Sequence, residues 1–221
     1  LEVISDAEQQ EDTYKRPELP ELYPAFVEYS INLPVRDLVC MVQRIYRDLA
    51  EDATYCIEHG DVADIELRAR IDRIDTTTFG DEQTTFVRVI DYKTGGVTSK
   101  GDIEDGAAFQ LPIYMLMALS AFEKAYPLMA YFARLKEITK SGRYSHGSEL
   151  LFTDVKHQRI TIGKHFNLLA VSMEHAVAAL RSIKRGVFTV KPRDLESSCR
   201  RCPYRTLCRR DVARLREGRV W

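Results

Sequence analysis

Alternating apolar and polar residues predict a β-hairpin in the first half of the chain. Residues 65–75 and 85–93 are rich in β-branched residues and are separated by a polar turn of Thr, Gly and Asp. An earlier segment, 25–31, has the same strand character. Further short strands are predicted at 129–135, 149–152 and 159–162.

Apolar residues at helical spacing predict helices between these strands. The segment from Pro34 to about Ala50 carries one apolar face, formed by Val35, Leu38, Val42, Ile45 and Leu49. A second amphipathic helix is expected from about 164 to 184, with Gly186 as its stop. A more uniformly apolar helix is expected from Gln110 to about 124, because Pro112 is tolerated only near a first turn. The pattern indicates an α/β protein with a mixed sheet flanked by helices.

Composition limits the class of protein. The 221 residues are 45% hydrophobic and 29% charged, which suffices for one core without a second domain. The sequence contains no apolar run of the roughly 20 residues that span a bilayer and no visible signal peptide. Five cysteines, three of them clustered near the end, favour a reducing compartment over a disulfide framework. We therefore expect a cytoplasmic or nucleoid-associated protein with no membrane partner.

Charge is unevenly distributed along the chain although the net charge is only −1. The first 21 residues hold seven acidic groups against Lys15 and Arg16 and are interpreted as a flexible acidic lead, 1–22. Eight arginines lie between residues 200 and 219, against Asp211 and Glu217. This basic tail is either a source of phosphate contacts, a solvated helix, or a surface that docks onto a partner.

The predicted hairpin places candidate catalytic side chains on adjacent strands. Asp91 and Lys93 are two residues apart, so they project from the same face of a strand, and Asp72 lies on the partner strand. Two carboxylates beside one ammonium suit a Mg²⁺-dependent phosphodiesterase, because carboxylates bind a hard cation and lysine can orient or activate the attacking water. A salt-bridged hairpin without a catalytic role is the alternative.

A second candidate centre is the cysteine cluster. Cys199, Cys202 and Cys208 are separated by two and five residues, a spacing that packing explains poorly. A zinc site or an iron–sulfur cluster takes four protein ligands. Cys40 is interpreted as a buried small hydrophobe, which leaves Cys56 as the candidate fourth ligand within this chain.

Five motifs in a fixed order carry a resemblance to a known family. The order is ARIDRID, IDYKTG, QLPIY, GVFTVKP and CRRCPYRTLC, within about residues 23–208. It resembles the RecB-type branch of the PD-(D/E)XK nucleases and is most similar there to the nuclease domain of the AddB subunit of bacterial helicase–nucleases. The resemblance implies a restriction-endonuclease-like α/β fold, cleavage of DNA with Mg²⁺ or Mn²⁺, and a structural [4Fe–4S] cluster, with Zn²⁺ as the alternative.

The resemblance also assigns roles to residues. Asp72 and Asp91 match the metal-binding aspartates, Lys93 matches the catalytic lysine, and the carbonyl of Tyr92 is a further expected metal ligand. Gln110 and Tyr114, four apart on one helix face, match a motif expected to position the DNA backbone or brace the lysine. Glu28 resembles a glutamate that precedes the first motif, and it is either a metal residue or a surface strand glutamate.

The sequence departs from the family at several positions. Ala69 stands where the family has glycine, and the first 22 residues contain neither the early metal-binding histidine nor the early cluster cysteine of RecB-type enzymes. His59 could replace that histidine, but it follows Glu28 instead of preceding it. The chain opens with Leu1, so we expect it to be part of a longer protein.

We therefore expect three regions: the acidic lead, a nuclease core at 23–198 with a helical insertion at 34–52, and the cysteine cluster with its basic tail at 199–221. The expected function is that of a Mg²⁺-dependent DNA exonuclease in DNA-end processing or repair. Its expected partners are single-stranded DNA or duplex ends and a helicase subunit or domain. The alternative is a catalytically inactive DNA-binding or docking module.

Overall fold

The computed structural model describes residues 21–52, 54–80, 83–138, 144–156, 159–188, 199–200 and 202–204. The described elements are β1 Tyr23–Pro34, α1 Val35–Leu49, β2 Glu66–Phe79, β3 Thr84–Lys93, α2 Lys100–Glu104, α3 Gln110–Leu119, β4 Ala125–Ile138, β5 Tyr144–Leu151, β6 Thr153–Lys156, β7 Arg159–Ile162 and α4 Leu168–Lys184. Two compact units are distinguished, Leu1–Arg181 and Ser182–Trp221. None of the helices within the described ranges is long and apolar enough to cross a membrane.

Five strands form a mixed sheet in the order β1-β2-β3-β4-β5. The β3–β4 pair is parallel and the other neighbouring pairs are antiparallel. A parallel pair needs a crossover connection, and α2 and α3 lie in that connection between β3 and β4. This arrangement confirms the mixed sheet and the β2–β3 hairpin. The β6 strand, which pairs with β7, was not expected from the sequence.

Helix α1 is part of the main apolar core. Val35, Leu38, Val42 and Ile45 are at most 1% exposed, and Leu49 packs against the same cluster. The predicted apolar face is therefore confirmed. Cys40 is exposed on the opposite side of this helix, so its assignment as a buried hydrophobe was wrong. Position 40 does not match the helical spacing of the apolar face, so the Cys40 side chain projects away from the core.

Strand β3 is buried on both sides. Val87 and Val89 belong to the main cluster with the helices, whereas Phe86 and Ile90 belong to a second cluster on the other side. A central strand that is covered on both faces has a continuous apolar run instead of strict alternation. The second cluster also includes Val155 of β6, so the strand that the sequence missed covers part of this face.

Two helix boundaries differ from the prediction. Helix α3 ends at Leu119 instead of near residue 124, where the backbone N–H and the hydroxyl of Ser120 both bond to the carbonyl of Met117. Helix α4 starts at Leu168 instead of residue 164, because the preceding residues form turns. In both places apolar residues continue into turns, so periodicity alone overestimated the helix length.

The end of α4 was predicted correctly. Gly186 has φ +66°, and the N–H of Val187 bonds to the carbonyl of Ser182 at 2.9 Å. A left-handed residue followed by such a bond is the glycine-dependent stop that the sequence indicated.

Three charged side chains are buried beside the second cluster. Arg73, Asp75 and Arg88 are 5%, 0% and 4% exposed. Asp75 accepts a bond from Nε of Arg73 at 2.7 Å and two bonds from Arg88 at 2.8 and 2.6 Å. Burial lowers the pKa of each guanidinium, but the attraction of Asp75 contributes to a net rise in the pKa of both arginines. Both arginines therefore stay charged, and Asp75 is their shared counter-ion.

We predict that Asp75→Asn destabilises the fold by about 3–5 kcal/mol, because it leaves two buried guanidinium groups without a counter-charge. Urea unfolding followed by circular dichroism measures the change. Asp64→Asn is the matched control, since Asp64 pairs with Arg36 at an exposed site and should change stability by at most about 1 kcal/mol. Equal small losses in both variants would contradict the prediction.

Candidate active site

The candidate site lies where two strands change the face that they present to the core. Ile71 and Ile74 of β2 both reach the main cluster although they are three residues apart. On β1 their partners Tyr29 and Phe26 do the same. Strict alternation would turn one member of each pair away from the core. The change is accommodated at Glu28, whose φ of 51° lies in the left-handed region.

The two aspartates lie just beyond the end of the β2–β3 ladder. Paired residues run from Phe79 and Thr84 to Arg73 and Ile90. Continuing this register by one residue places Asp72 opposite Asp91. The strands are joined there by the backbone N–H of Tyr92, which donates to Oδ2 of Asp72 at 2.8 Å.

The side chains of Lys93, Gln110 and Asp91 form a closed set of contacts. Nζ of Lys93 lies 2.6 Å from Oδ2 of Asp91 and donates to Oε1 of Gln110 at 3.1 Å. Nε2 of Gln110 donates to the other oxygen of Asp91 at 2.6 Å. The ammonium also lies 5.3 Å from the centre of the Phe132 ring, within the range of a cation–π contact. One amide therefore orients both charged groups.

The electrostatics of Asp91 favour a cation at this position. Asp91 is 3% exposed, and its burial raises the pKa of the carboxyl above the ordinary value. Attraction to the Lys93 ammonium opposes that rise, and the negative charge of Asp72 adds to it. A buried carboxylate next to a second carboxylate is stabilised by any further positive charge between them.

The donor set fits a hard divalent cation. Oδ2 of Asp91 is buried and accepts no hydrogen bond of good geometry within the described residues; its contact with Lys93 is an ion pair. The described residues contain no cluster of three or more Asp, Glu, His or Cys side chains arranged to hold a metal. Asp72 and Asp91 would therefore bind Mg²⁺ or Mn²⁺ together with a backbone carbonyl and water, a set of oxygen ligands that Mg²⁺ accepts.

Glu28 and Tyr114 make other contacts than Asp91, Lys93 and Gln110. Glu28 lies on β1 between Val27 and Tyr29, which pair with Arg73 and Ile71, but its exposed carboxylate pairs with Arg70 at 2.6 Å. Tyr114 lies one turn after Gln110 on α3 and is partly buried against the main cluster. Their assignments to the metal and to the DNA backbone remain predictions.

The cysteines are described only in part. Cys199 and Cys202 are partly exposed, and the N–H of Cys202 lies 3.4 Å from the carbonyl of Cys199. Cys208 lies outside the described residues. Cys56 is exposed in the connection between α1 and β2. Their role as ligands of a cluster also remains a prediction.

Sequence reasoning missed the buried charges behind the site. Arg88 stands in an apolar run between Val87 and Val89, and a charge in a fully buried strand is rare unless it is paired. Arg73 and Asp75 are two residues apart and share a face. These two signals were available but were assigned no role.

We predict that the carboxyl of Asp91 titrates above the ordinary pKa of an aspartate in the metal-free protein, and higher still in Gln110→Ala. The amide of Gln110 donates to the ionised carboxylate, and removing a donor disfavours the charged form. Carboxyl ¹³C chemical shifts followed against pH give both values. A pKa that is unchanged or lower in Gln110→Ala would show that the amide does not stabilise the charge.

Comparison with known proteins agrees with the geometry. A family model described as the PD-(D/E)XK nuclease superfamily matches residues 3–209, almost the whole chain. No curated protein matches it. The mixed sheet flanked by helices is the restriction-endonuclease-like α/β fold that the sequence predicted. The chain belongs to the PD-(D/E)XK nuclease superfamily.

Proposed function

We propose that this protein is a Mg²⁺-dependent DNA nuclease that hydrolyses phosphodiester bonds. The observation that carries the proposal is the group of Asp91, Lys93 and Gln110 at the end of the β2–β3 ladder, with Asp72 one strand away. This group combines an acidic metal-binding pair with a positioned ammonium, the two components that such a hydrolysis requires.

Each residue has a distinct task in the proposed reaction. Asp72 and Asp91, with the carbonyl of Tyr92, would hold one or two Mg²⁺ ions. When bound, Mg²⁺ polarises the scissile phosphate and lowers the pKa of a water ligand. Lys93 orients the attacking water and stabilises the charge that develops on the phosphoryl oxygens. Gln110 keeps Lys93 and Asp91 in place, and Tyr114 on the same helix face helps to hold the DNA strand.

The finer assignment rests on the resemblance to RecB-type nucleases. We propose exonucleolytic cutting of single-stranded DNA or duplex ends, in DNA-end processing or repair in the bacterial cytoplasm. The expected partner is a helicase subunit, as for the AddB-like enzymes. A catalytically inactive DNA-binding or docking module is the second candidate. The presence of Asp72, Asp91 and Lys93 in one site favours catalysis.

We propose that the cysteines hold a structural [4Fe–4S] cluster, with Zn²⁺ as the alternative. Cys199, Cys202 and Cys208 would supply three ligands and Cys56 is the candidate fourth. The closeness of the Cys202 N–H to the Cys199 carbonyl fits a turn that brings both thiolates to one metal centre. Hydrolysis needs no electron transfer, so the cluster would stabilise the C-terminal end of the chain.

We predict that Lys93→Ala lowers the rate of Mg²⁺-dependent degradation of linear single-stranded DNA on the order of 10²–10³-fold, as for other removed donors that stabilise developing charge. The assay follows release of acid-soluble nucleotides. Lys164→Ala is the matched control, because Lys164 is exposed in the turn before α4.

The circular dichroism spectra of both variants should match that of the wild type. Activity that survives in Lys93→Ala would place the catalytic lysine elsewhere. A wild type that binds DNA without cutting it would favour the binding module.

We predict that Cys202→Ala loses iron and the brown colour of the cluster, because a cluster lacking one thiolate is labile. Elemental analysis of the purified proteins measures iron and zinc together. Cys40→Ala should keep its iron; loss of iron in that variant would make Cys40, the other exposed thiol among the described residues, the fourth ligand. Cys56→Ala tests the fourth ligand. Stoichiometric zinc without iron in the wild type would identify a zinc site instead.

A further inference from the structure

The buried charges beside the second cluster contain one more positive than negative group. Asp75 is the shared counter-ion of Arg73 and Arg88, and all three side chains are almost inaccessible. Burying charge costs free energy, and apolar residues of similar size often stabilise a fold as well or better. Stability alone therefore gives a weak reason for this arrangement.

The position of Arg73 gives a second reason for burying these three charges. Arg73 follows Asp72 directly on β2 and pairs with Ile90 in the last register position of the β2–β3 ladder. Its Nε is fixed on Asp75 at 2.7 Å, and its Nη1 reaches the hydroxyl of Tyr92 at 3.5 Å. The planar guanidinium thus spans β2 and β3 at the point where the backbone ladder stops.

Tyr92 connects this arrangement to the active site. It stands between Asp91 and Lys93, and its backbone N–H donates to Asp72 at 2.8 Å. Its ring packs against the second cluster. The backbone N–H of Tyr92 is therefore held by Asp72, and its hydroxyl lies within reach of the Arg73 guanidinium at 3.5 Å. Two carboxylates that repel each other need such a support, because the strands that carry them are no longer paired by backbone bonds there.

We propose that Arg73, held in place by Asp75 and Arg88, is a positioning residue for the divalent cation. Acting through Tyr92, it sets the separation of β2 and β3 so that Asp72, Asp91 and the Tyr92 carbonyl can share one ion. The inference rests on the proposed function, because it assumes that these groups bind the metal. Partners that orient metal ligands typically change metal affinity by about 10–100-fold when they are removed.

The test measures metal affinity directly, with Mn²⁺ as the probe. The metal-free protein is titrated with Mn²⁺, and free Mn²⁺ is measured by its electron paramagnetic resonance signal. Binding that is lost in Asp91→Ala is assigned to the candidate active site. Tyr92→Phe removes only one hydroxyl. Arg73→Lys keeps the charge but cannot span Asp75 and Tyr92 as the planar guanidinium does. Tyr126→Phe is the control, since Tyr126 packs against the same cluster and its hydroxyl donates to Asp48.

We expect Tyr92→Phe and Arg73→Lys each to weaken Mn²⁺ binding about tenfold, with no change in Tyr126→Phe. The double variant should be no weaker than the single ones, because both act through the same contact. Normal Mn²⁺ affinity in Tyr92→Phe and Arg73→Lys would overturn the proposal. The three buried charges would then have a structural role alone. Since Tyr92→Phe keeps the ring, it decides the question even if Arg73→Lys fails to fold.

The failure of this inference can be told apart from failure of the proposed function. A wild type that binds Mn²⁺ and cuts DNA, together with variants that match it, contradicts the positioning role alone. A wild type that binds Mn²⁺ without cutting contradicts the nuclease, while the affinities still decide the role of Arg73. A wild type that binds no Mn²⁺ contradicts both.

Discussion

Repulsion between two neighbouring carboxylates is the constraint on which this site depends. In the proposed function Asp72 and Asp91 lie close together to share a cation, and Asp91 is also almost fully buried. The fold opposes the resulting penalty with the ammonium of Lys93 and with donors from Gln110 and Tyr92. Lys93 and Tyr92 belong to the same strand end as Asp91, whereas Gln110 reaches it from the crossover helix α3. The register of β2 against β3 and the position of α3 bring these groups together.

The second cluster and the candidate active site lie on opposite faces of the same strands. Residues of β3 alternate between them, so that Asp91 and Lys93 face α3 while Ile90 and Tyr92 face the opposite cluster. A change on one face can therefore act on the other through the backbone. This coupling is the physical basis on which we propose that the buried charges of Arg73, Asp75 and Arg88 act on Asp72 and Asp91.

Much of the fold followed from local patterns in the sequence. The hairpin, the amphipathic helix α1 and the stop at Gly186 were predicted because periodicity and a left-handed glycine are local signals. The C-terminal end of α3 and the start of α4 were missed because apolar residues such as Phe166 continue into turns, where only tertiary packing decides. The spacing of Asp91 and Lys93 predicted that their side chains share a face, and the two charged groups lie 2.6 Å apart. The face change at Glu28 and the contact between Gln110 and Asp91 depend on residues distant in sequence, which periodicity does not report.

The parallel pairing of β3 and β4 has a consequence for the order in which the protein acquires its site. Gln110 lies on the crossover that a parallel pair requires, so it can reach Asp91 only when that crossover has closed. Non-local pairings of this kind form more slowly than local hairpins. A nascent chain in which only the β2–β3 hairpin has formed thus carries both carboxylates without the amide that aligns them. Ordering of the lysine is tied to completion of the central sheet, and a partly synthesised chain lacks the aligned site.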